Sequence, residues 1–279
     1  MPMPLHRKKL RGATCWQGQH VIITGGSLGI GAAAAAAFSE AGARVSILAR
    51  RRAALIETSR RTGAHWASVD VVDAAALFEA IHELEDAVGA CDVIFCCAGI
   101  VIPGRPDQLT IDDIAQQMSV NYMGAVNAVG AVLPAMVARG AGRIVLTSST
   151  AGLLGVVGLS GYCPTKAAVR AYAQTLRYEL QGTGVDISVL YPPDTKTPGF
   201  ESERLRRPPE TTAVAGAIAP VEPDVVANAL LSGLERRKAH IAIDPLTRFM
   251  SAWAGAPEAL ARPFLSKAIK TARAKDHQL

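Results

Sequence analysis

Short apolar runs alternate with longer amphipathic stretches along most of this chain. His20–Thr24, Arg44–Ala49, His65–Val69, Asp92–Cys96, Arg143–Thr147, Val185–Leu190 and His240–Ile243 are brief and mostly rich in Val, Ile, Leu or Ala, and read as buried strands. Between them lie helical stretches: the alanine run Ala32–Phe38, then Asp73–Val88, Thr110–Ala138, a segment from Tyr162 onward, and Glu222–Arg237. Strands alternating with helices throughout predict an α/β fold with a doubly wound parallel sheet, built as a single domain over about residues 19–245.

Three stretches stand apart from that rhythm. Residues 1–18 carry His6, Arg7, Lys8, Lys9 and Arg11 with no apolar run behind them, so they read as a basic N-terminal arm and not as a secretory signal. Residues 201–220 are polar and proline-bearing, with Arg204, Arg206, Arg207, Pro208 and Pro209, and read as the main part of a mobile lid over about 194–220. Residues 246–279 form a C-terminal amphipathic helical extension. As a helix, Ala259–Ala274 places Leu260, Phe264, Leu265, Ala268, Ile269 and Ala272 on one half and Arg262, Lys267, Lys270 and Arg273 on the other. From Ala259 to the end there are five basic residues against one acidic, net +4 of the chain's +5. Two readings stay open for that helix: its apolar half packs on the domain or a partner subunit, or it meets an anionic membrane peripherally.

Composition narrows the class further. Apolar residues make up 49% of the 279, which suits a folded core, and no apolar run approaches a membrane span of about 18 residues. The charge is too modest to argue for nucleic acid. Cys15, Cys91, Cys96, Cys97 and Cys163 are odd in number and lack Cys-x-x-Cys spacing, so a reducing, cytoplasmic setting is expected, and Cys163 reads as a small apolar filler. The six histidines show no ligand spacing, and no metal is expected.

Candidate chemistry lies in two places. After the first strand, Gly25-Gly26-Ser27-Leu28-Gly29-Ile30-Gly31 turns into a helix, a strand, glycine turn and helix in which bare backbone and unpaired N–H groups can receive a pyrophosphate. Further on, Ser149 ends an apolar run and Tyr162 lies thirteen positions later, followed at helical spacing by Lys166. A four-residue step puts the phenol and the ammonium on one helix face. A free tyrosine titrates near about 10, and an adjacent cation favours the phenolate, so Lys166 is expected to bring Tyr162 toward working acid/base range.

With the glycine turn, Asn121, Ser149 and Tyr162-x-x-x-Lys166 all present in order, the sequence resembles the short-chain dehydrogenase/reductase family over about residues 18–245. The resemblance implies a Rossmann-type fold, a homo-oligomer (dimer or tetramer) and a nicotinamide cofactor on Gly25, Ser27, Leu28, Gly29, Ile30, Gly31, Arg50, Asp70, Val71, Ala98, Gly99, Tyr162, Lys166 and Thr197. It also implies Tyr162 as proton donor, Ser149 bonding the same oxygen, Lys166 tuning the tyrosine and holding the ribose, and Asn121 bending its helix and serving a proton relay. Where an NAD site would place a carboxylate, the chain has Arg50-Arg51-Arg52, so NADPH/NADP is expected, with Arg50 and Ser27 as the discriminating contacts.

Two positions depart from the family pattern. Cys96-Cys97-Ala98-Gly99 stands where relatives carry Asn-Asn-Ala-Gly, which removes side-chain amides from that strand end, and Pro193 replaces a glycine ahead of Thr197. The run Pro192-Pro193-Asp194-Thr195-Lys196-Thr197-Pro198-Gly199-Phe200, with Ala151–Gly155, resembles that of 3-ketodihydrosphingosine reductases. Three functions follow from these likenesses: reduction of a lipid-like, long-chain amino ketone of sphingolipid synthesis, reduction or oxidation of another carbonyl or alcohol such as a 3-oxoacyl thioester, or a non-catalytic NADPH-binding regulator.

Overall fold

The computed structural model describes residues 16–215 and 219–254. The basic arm up to Cys15 and the amphipathic helix expected at 259–274 lie outside the described residues. In chain order the elements are β1 (His20–Thr24), α1 (Gly29–Glu40), β2 (Arg44–Ala49), α2 (Arg52–Thr62), β3 (His65–Ser68), α3 (Ala74–Val88) and β4 (Val93–Cys96). They continue as α4 (Ile111–Met118), a π-helical turn (Ser119–Met123), α5 (Gly124–Arg139), β5 (Gly142–Thr147), a 3₁₀ turn (Thr150–Gly152), α6 (Cys163–Glu179) and β6 (Val185–Tyr191). The last are α7 (Pro198–Arg204), α8 (Pro209–Ala215), α9 (Pro223–Glu235), β7 (His240–Ala242) and α10 (Pro245–Ala254).

All seven strands are parallel, in the order β3-β2-β1-β4-β5-β6-β7. The chain runs outward from β1 to β3 and then returns to lay β4 against the other side of β1. That reversal opens a crevice beyond the carboxyl ends of β1 and β4, the place where open α/β sheets bind ligands. Strand residues alternate between two cores. Ile22, Ile94, Ile144 and Leu146 face α3, α5 and α6 through Leu77, Ile81, Val129, Val132 and Val169. Val21, Ile23, Phe95 and Val145 face α1 and α9 through Phe38, Val226, Leu230 and Leu234. Trp16 closes the second core, edge-on to Phe38 at 4.9 Å. Side chains buried on both faces explain why the strands read as continuous apolar runs.

The helical run Ile111–Arg139 has the length and hydropathy of a membrane span. Part of its apolar surface is spent inside the protein, where Ala128, Val129, Val132 and Met136 sit against α3 and the sheet. The run is not one uniform helix as the spacing predicted, since the π turn divides it. Residues 194–220, read as a loop-like lid, carry two short helices, α7 and α8, each opened by a proline at its first position.

His20, at the start of β1, is fully buried. Its Nδ1–H donates to the Gly89 carbonyl at 2.5 Å, and Nε2 accepts from the Ser46 hydroxyl at 2.8 Å, which fixes one neutral tautomer. Burial, against the opposing pull of the Gly89 carbonyl, holds its pKa below the ordinary 6.5. The unfolded chain therefore binds a proton at His20 more readily than the folded one, so this stability is complete above about pH 6.5 and is lost as pH falls through that value toward the folded pKa. Urea unfolding of wild type and His20→Gln at pH 7.5 and 5.5 should show a wild-type stability loss on acidification that is larger than the variant's.

Candidate active site

The turn after β1 is shaped by what glycine leaves out. Gly25 and Gly29 have φ of +71° and +56°, and a Cβ at Gly25 would lie 2.8 Å from the Ala98 backbone. A Cβ at Gly31 would come within 2.3 Å of the Gly25 carbonyl oxygen. The helix that follows begins with Leu28 as its N-cap, has no side-chain cap and no acidic residue in its first turn. Its first N–H groups are thus available to an anion, and the dipole favours one. Ser27 is buried, with its carbonyl accepting from the Thr58 hydroxyl at 2.9 Å. Thr197, the N-cap of α7, reaches this turn: its Cγ2 lies 2.8 Å from where a Gly29 Cβ would be.

Along the adenine side, Arg50 stands at the end of β2 and its Nη1 lies 3.5 Å from the Asp70 carboxylate, both half-exposed. Asp70 also accepts from the Val72 N–H at 3.1 Å. Val71 is buried over Gly124, and its carbonyl accepts from the Asn127 amide at 2.9 Å. At Cys97-Ala98 the Thr24 hydroxyl accepts from the backbone N–H groups of Cys97 and Ala98 at 3.2 and 3.3 Å. That hydroxyl joins the ends of β1 and β4 across the crevice. Gly99 follows, with a Cβ there landing 3.2 Å from Asn121 Oδ1 and 3.5 Å from Lys166 Nζ.

The second cluster rises from the end of β5 and the start of α6. Ser149 accepts from the Ala151 N–H at 3.2 Å, opening the 3₁₀ turn, and its hydroxyl lies near enough to the Tyr162 phenol to oppose the rise in its pKa. Tyr162 is the residue before α6, in helical conformation, and Lys166 follows one turn on. The Lys166 ammonium is buried, donates to the Thr147 carbonyl at 2.9 Å and lies 5.6 Å from the centre of the Tyr162 ring. Ser148 ties the same turn down, donating to the Lys166 carbonyl at 2.9 Å. Cys163 packs with Ala151 and Leu159 as the small apolar filler expected.

Asn121 occupies the middle of the π turn and is buried. Its Oδ1 accepts from the Ile100 N–H at 2.8 Å, and its Nδ2 donates to the Ile100 carbonyl at 2.9 Å and the Thr165 hydroxyl at 3.0 Å. A π turn inserts one extra residue in the helix, and here it aims that residue at the site.

The titration expected from the Tyr-x-x-x-Lys spacing is not what the structure gives. Burial and then the Glu203 charge push the Tyr162 phenol above its usual range, and the Ser149 hydroxyl only partly opposes them. Lys166 does not bring it down, because its ammonium is directed at the Thr147 carbonyl and is itself lowered by burial to about 8. Among the described residues, no group of three His, Cys, Asp or Glu is placed to hold a metal ion.

Several supporting residues carried no sequence signal of their own. Thr147 read only as a strand end. Gln117, fully buried, accepts from the Ile102 N–H at 3.0 Å and leaves no room for a Cβ at Gly161. Thr247, from α10, meets the Thr150 hydroxyl at 2.9 Å. Glu203 and Arg207 fell within the expected lid, where their four-residue spacing was the only available hint.

A parallel sheet with this strand order, a glycine cradle at its switch point and a cluster of Ser149, Tyr162 and the buried Lys166 define a dinucleotide-dependent oxidoreductase. The short chain dehydrogenase family model matches residues 19–208, and the chain belongs to that family. It is 34% identical over 255 residues to a 3-ketodihydrosphingosine reductase of Dictyostelium discoideum, covering 83% of this chain and 76% of the relative. It is 37% identical over 229 residues to a 3-dehydrosphinganine reductase of Arabidopsis thaliana, covering 79% and 68%. Among solved structures it is similar to levodione reductase (TM-score 0.73, 25% identity, 82% of this chain and 97% of that one). A short-chain dehydrogenase from Streptomyces avermitilis is likewise similar (0.73, 25%, 92% and 98%). The protein is therefore an oxidoreductase acting between C=O and CH–OH, and its cofactor is a nicotinamide dinucleotide.

If the turn works as a pyrophosphate cradle, Gly31→Ala should lower affinity for the nicotinamide cofactor by at least tenfold and lower Tm, since neither contacting group is a movable side chain. Gly130→Ala, in α5 with open space around it, should leave affinity unchanged and raise stability by up to about 1 kcal/mol. Titration calorimetry with thermal unfolding checks both.

Proposed function

We propose that this enzyme is an NADPH-dependent ketone reductase acting on the 3-keto group of a long-chain sphingoid base precursor, 3-ketodihydrosphingosine. What carries the substrate reading is that relatives from Dictyostelium, cattle, mouse and Arabidopsis, each at least 34% identical over three quarters of the chain or more, bear that activity in their names. The reading is supported by a phenol that its surroundings keep protonated, the state a reductase needs in its general acid.

When bound, the reduced nicotinamide supplies the hydride. The chain's own part is position and proton. Tyr162 donates its phenolic proton to the carbonyl oxygen as negative charge develops there, and Ser149 donates a hydrogen bond to the same oxygen. Lys166, buried beside Gly99, holds the ribose and carries positive charge under the developing phenolate. Asn121 acts as a positioning residue, because its carboxamide is already committed to Ile100 and Thr165. Arg50 supplies the charge for a 2′-phosphate at the end of β2, with Asp70 as the partner it must loosen from.

Purified enzyme should oxidise NADPH when given 3-ketodihydrosphingosine, and absence of that reaction overturns the substrate assignment. Tyr162→Phe should lower kcat by about 10²–10⁴ while cofactor affinity stays within about threefold, since only the donor is removed. A variant that keeps near wild-type kcat contradicts the assignment of the acid. Arg50→Asp should reduce or reverse the preference for NADPH over NADH. Equal kcat/KM for both cofactors in the unmutated enzyme would remove the basis for assigning Arg50.

A further inference from the structure

Around α7 and the start of α8 lies a buried ionic cluster beyond those described above. The Arg207 side chain is 6% exposed and forks onto Asp194 through Nη1 at 2.8 Å and Nη2 at 3.2 Å. Its Nε and Nη2 both reach Glu203 Oε1 at 2.7 Å, and its guanidinium lies 5.0 Å from the centre of the Phe200 ring. Glu203 is itself 8% exposed. Two carboxylates thus share one guanidinium, and the cluster holds one negative charge more than it balances. Both Arg207 donors go to Oε1, and among the described residues no hydrogen bond reaches Oε2.

The segment that carries this cluster packs on the catalytic turns: the Pro192 carbonyl, two residues before Asp194, accepts from the Thr150 N–H at 3.4 Å beside Ser149, and the Thr211 hydroxyl donates to the Val157 carbonyl at 2.9 Å in the loop leading to Tyr162. No other charge acts on the Tyr162 phenol as strongly as Glu203, and Asp194 acts in the same direction more weakly. Burial outweighs Arg207 and raises the Glu203 pKa, as expected of a carboxylate with only part of a counter-ion. Burying such a group is costly unless it is paired, and a second cation beside Oε2 would offset the cost. A neutral ketone brings none. A ketone with an amine on the adjacent carbon brings an ammonium within about two bonds of the carbon whose oxygen Tyr162 must reach.

We infer that Glu203 is a specificity-determining residue, pairing through Oε2 with the ammonium of a substrate whose amine neighbours the reacting carbonyl. This inference rests on the reductase reading above and assigns it a residue. Arg207 and Asp194 hold Glu203 in place, and the excess charge selects amino ketones over neutral ketones and thioesters of equal chain length.

The test compares wild type, Glu203→Gln and Glu203→Asp on 3-ketodihydrosphingosine and on the same 3-keto alcohol lacking the amine. Glu203→Gln keeps an acceptor for Arg207 and leaves a neutral Asp194–Arg207 pair, so α7 should stay in place. Removing the Glu203 charge changes the Tyr162 phenol for both ketones alike, so the readout is the ratio: kcat/KM should fall at least tenfold more on the amino ketone than on the neutral analogue, with Glu203→Asp recovering much of that difference. Equal losses on both ketones, or no loss on the amino ketone, overturn the inference. A wild type that reduces neither ketone refutes the substrate assignment instead, and binding then decides for Glu203. Calorimetry on NADPH-loaded enzyme should show decylamine, and not decanol, weakened by Glu203→Gln, and equal effects on the two ligands overturn the pairing.

Discussion

The carboxamide of Asn121 is the contact on which the site depends. Two of its hydrogen bonds clamp the Ile100 backbone just beyond β4, and the third takes the Thr165 hydroxyl on α6. One side chain therefore fixes the strand end at the switch point to the helix that carries Lys166. The π turn is what makes this reach available, since Asn121 would be directed elsewhere on a regular helix. Thr165 also donates to the Tyr162 carbonyl at 2.8 Å, so the tie extends to the backbone of the tyrosine.

Burial then sets the electrostatics. Lys166 is enclosed, and its charge is sustained by the Thr147 carbonyl, while its pKa falls to about 8. Tyr162 is driven the other way by the same loss of water and by Glu203. The site is thus polarised, with a cation beneath it on the β5 side and excess negative charge toward α7. On the proposed reading, the protonated phenol between them gives its proton to the carbonyl oxygen, and the two charged sides select what else the substrate carries.

Much of the fold was legible because it is written in period and spacing. Strands buried on both faces appear as apolar runs, and the glycines between Gly25 and Gly31, set between a strand and a helix, read as a turn whose Gly25 and Gly31 leave no room for a Cβ. Ser149, Tyr162 and Lys166 were legible for a related reason: their separation matches one strand end and one helical turn. What stayed hidden arises from contacts distant in sequence. The Thr24 hydroxyl accepts from the backbone of the neighbouring strand's end, 73 and 74 positions away. The upward shift at Tyr162 depends on Glu203, from a stretch whose prolines and arginines concealed two short helices. A pairwise Tyr–Lys argument could not include a third charge that only the folded chain brings near.

The central claim is that the enzyme selects its ketone by charge as well as by carbonyl. A direct measurement offers wild-type enzyme equal concentrations of 3-ketodihydrosphingosine and a 3-oxoacyl thioester of the same chain length with limiting NADPH, and quantifies both alcohols by mass spectrometry. The amino alcohol should form in at least tenfold excess. Equal yields, or an excess of the 3-hydroxyacyl product, would contradict the account.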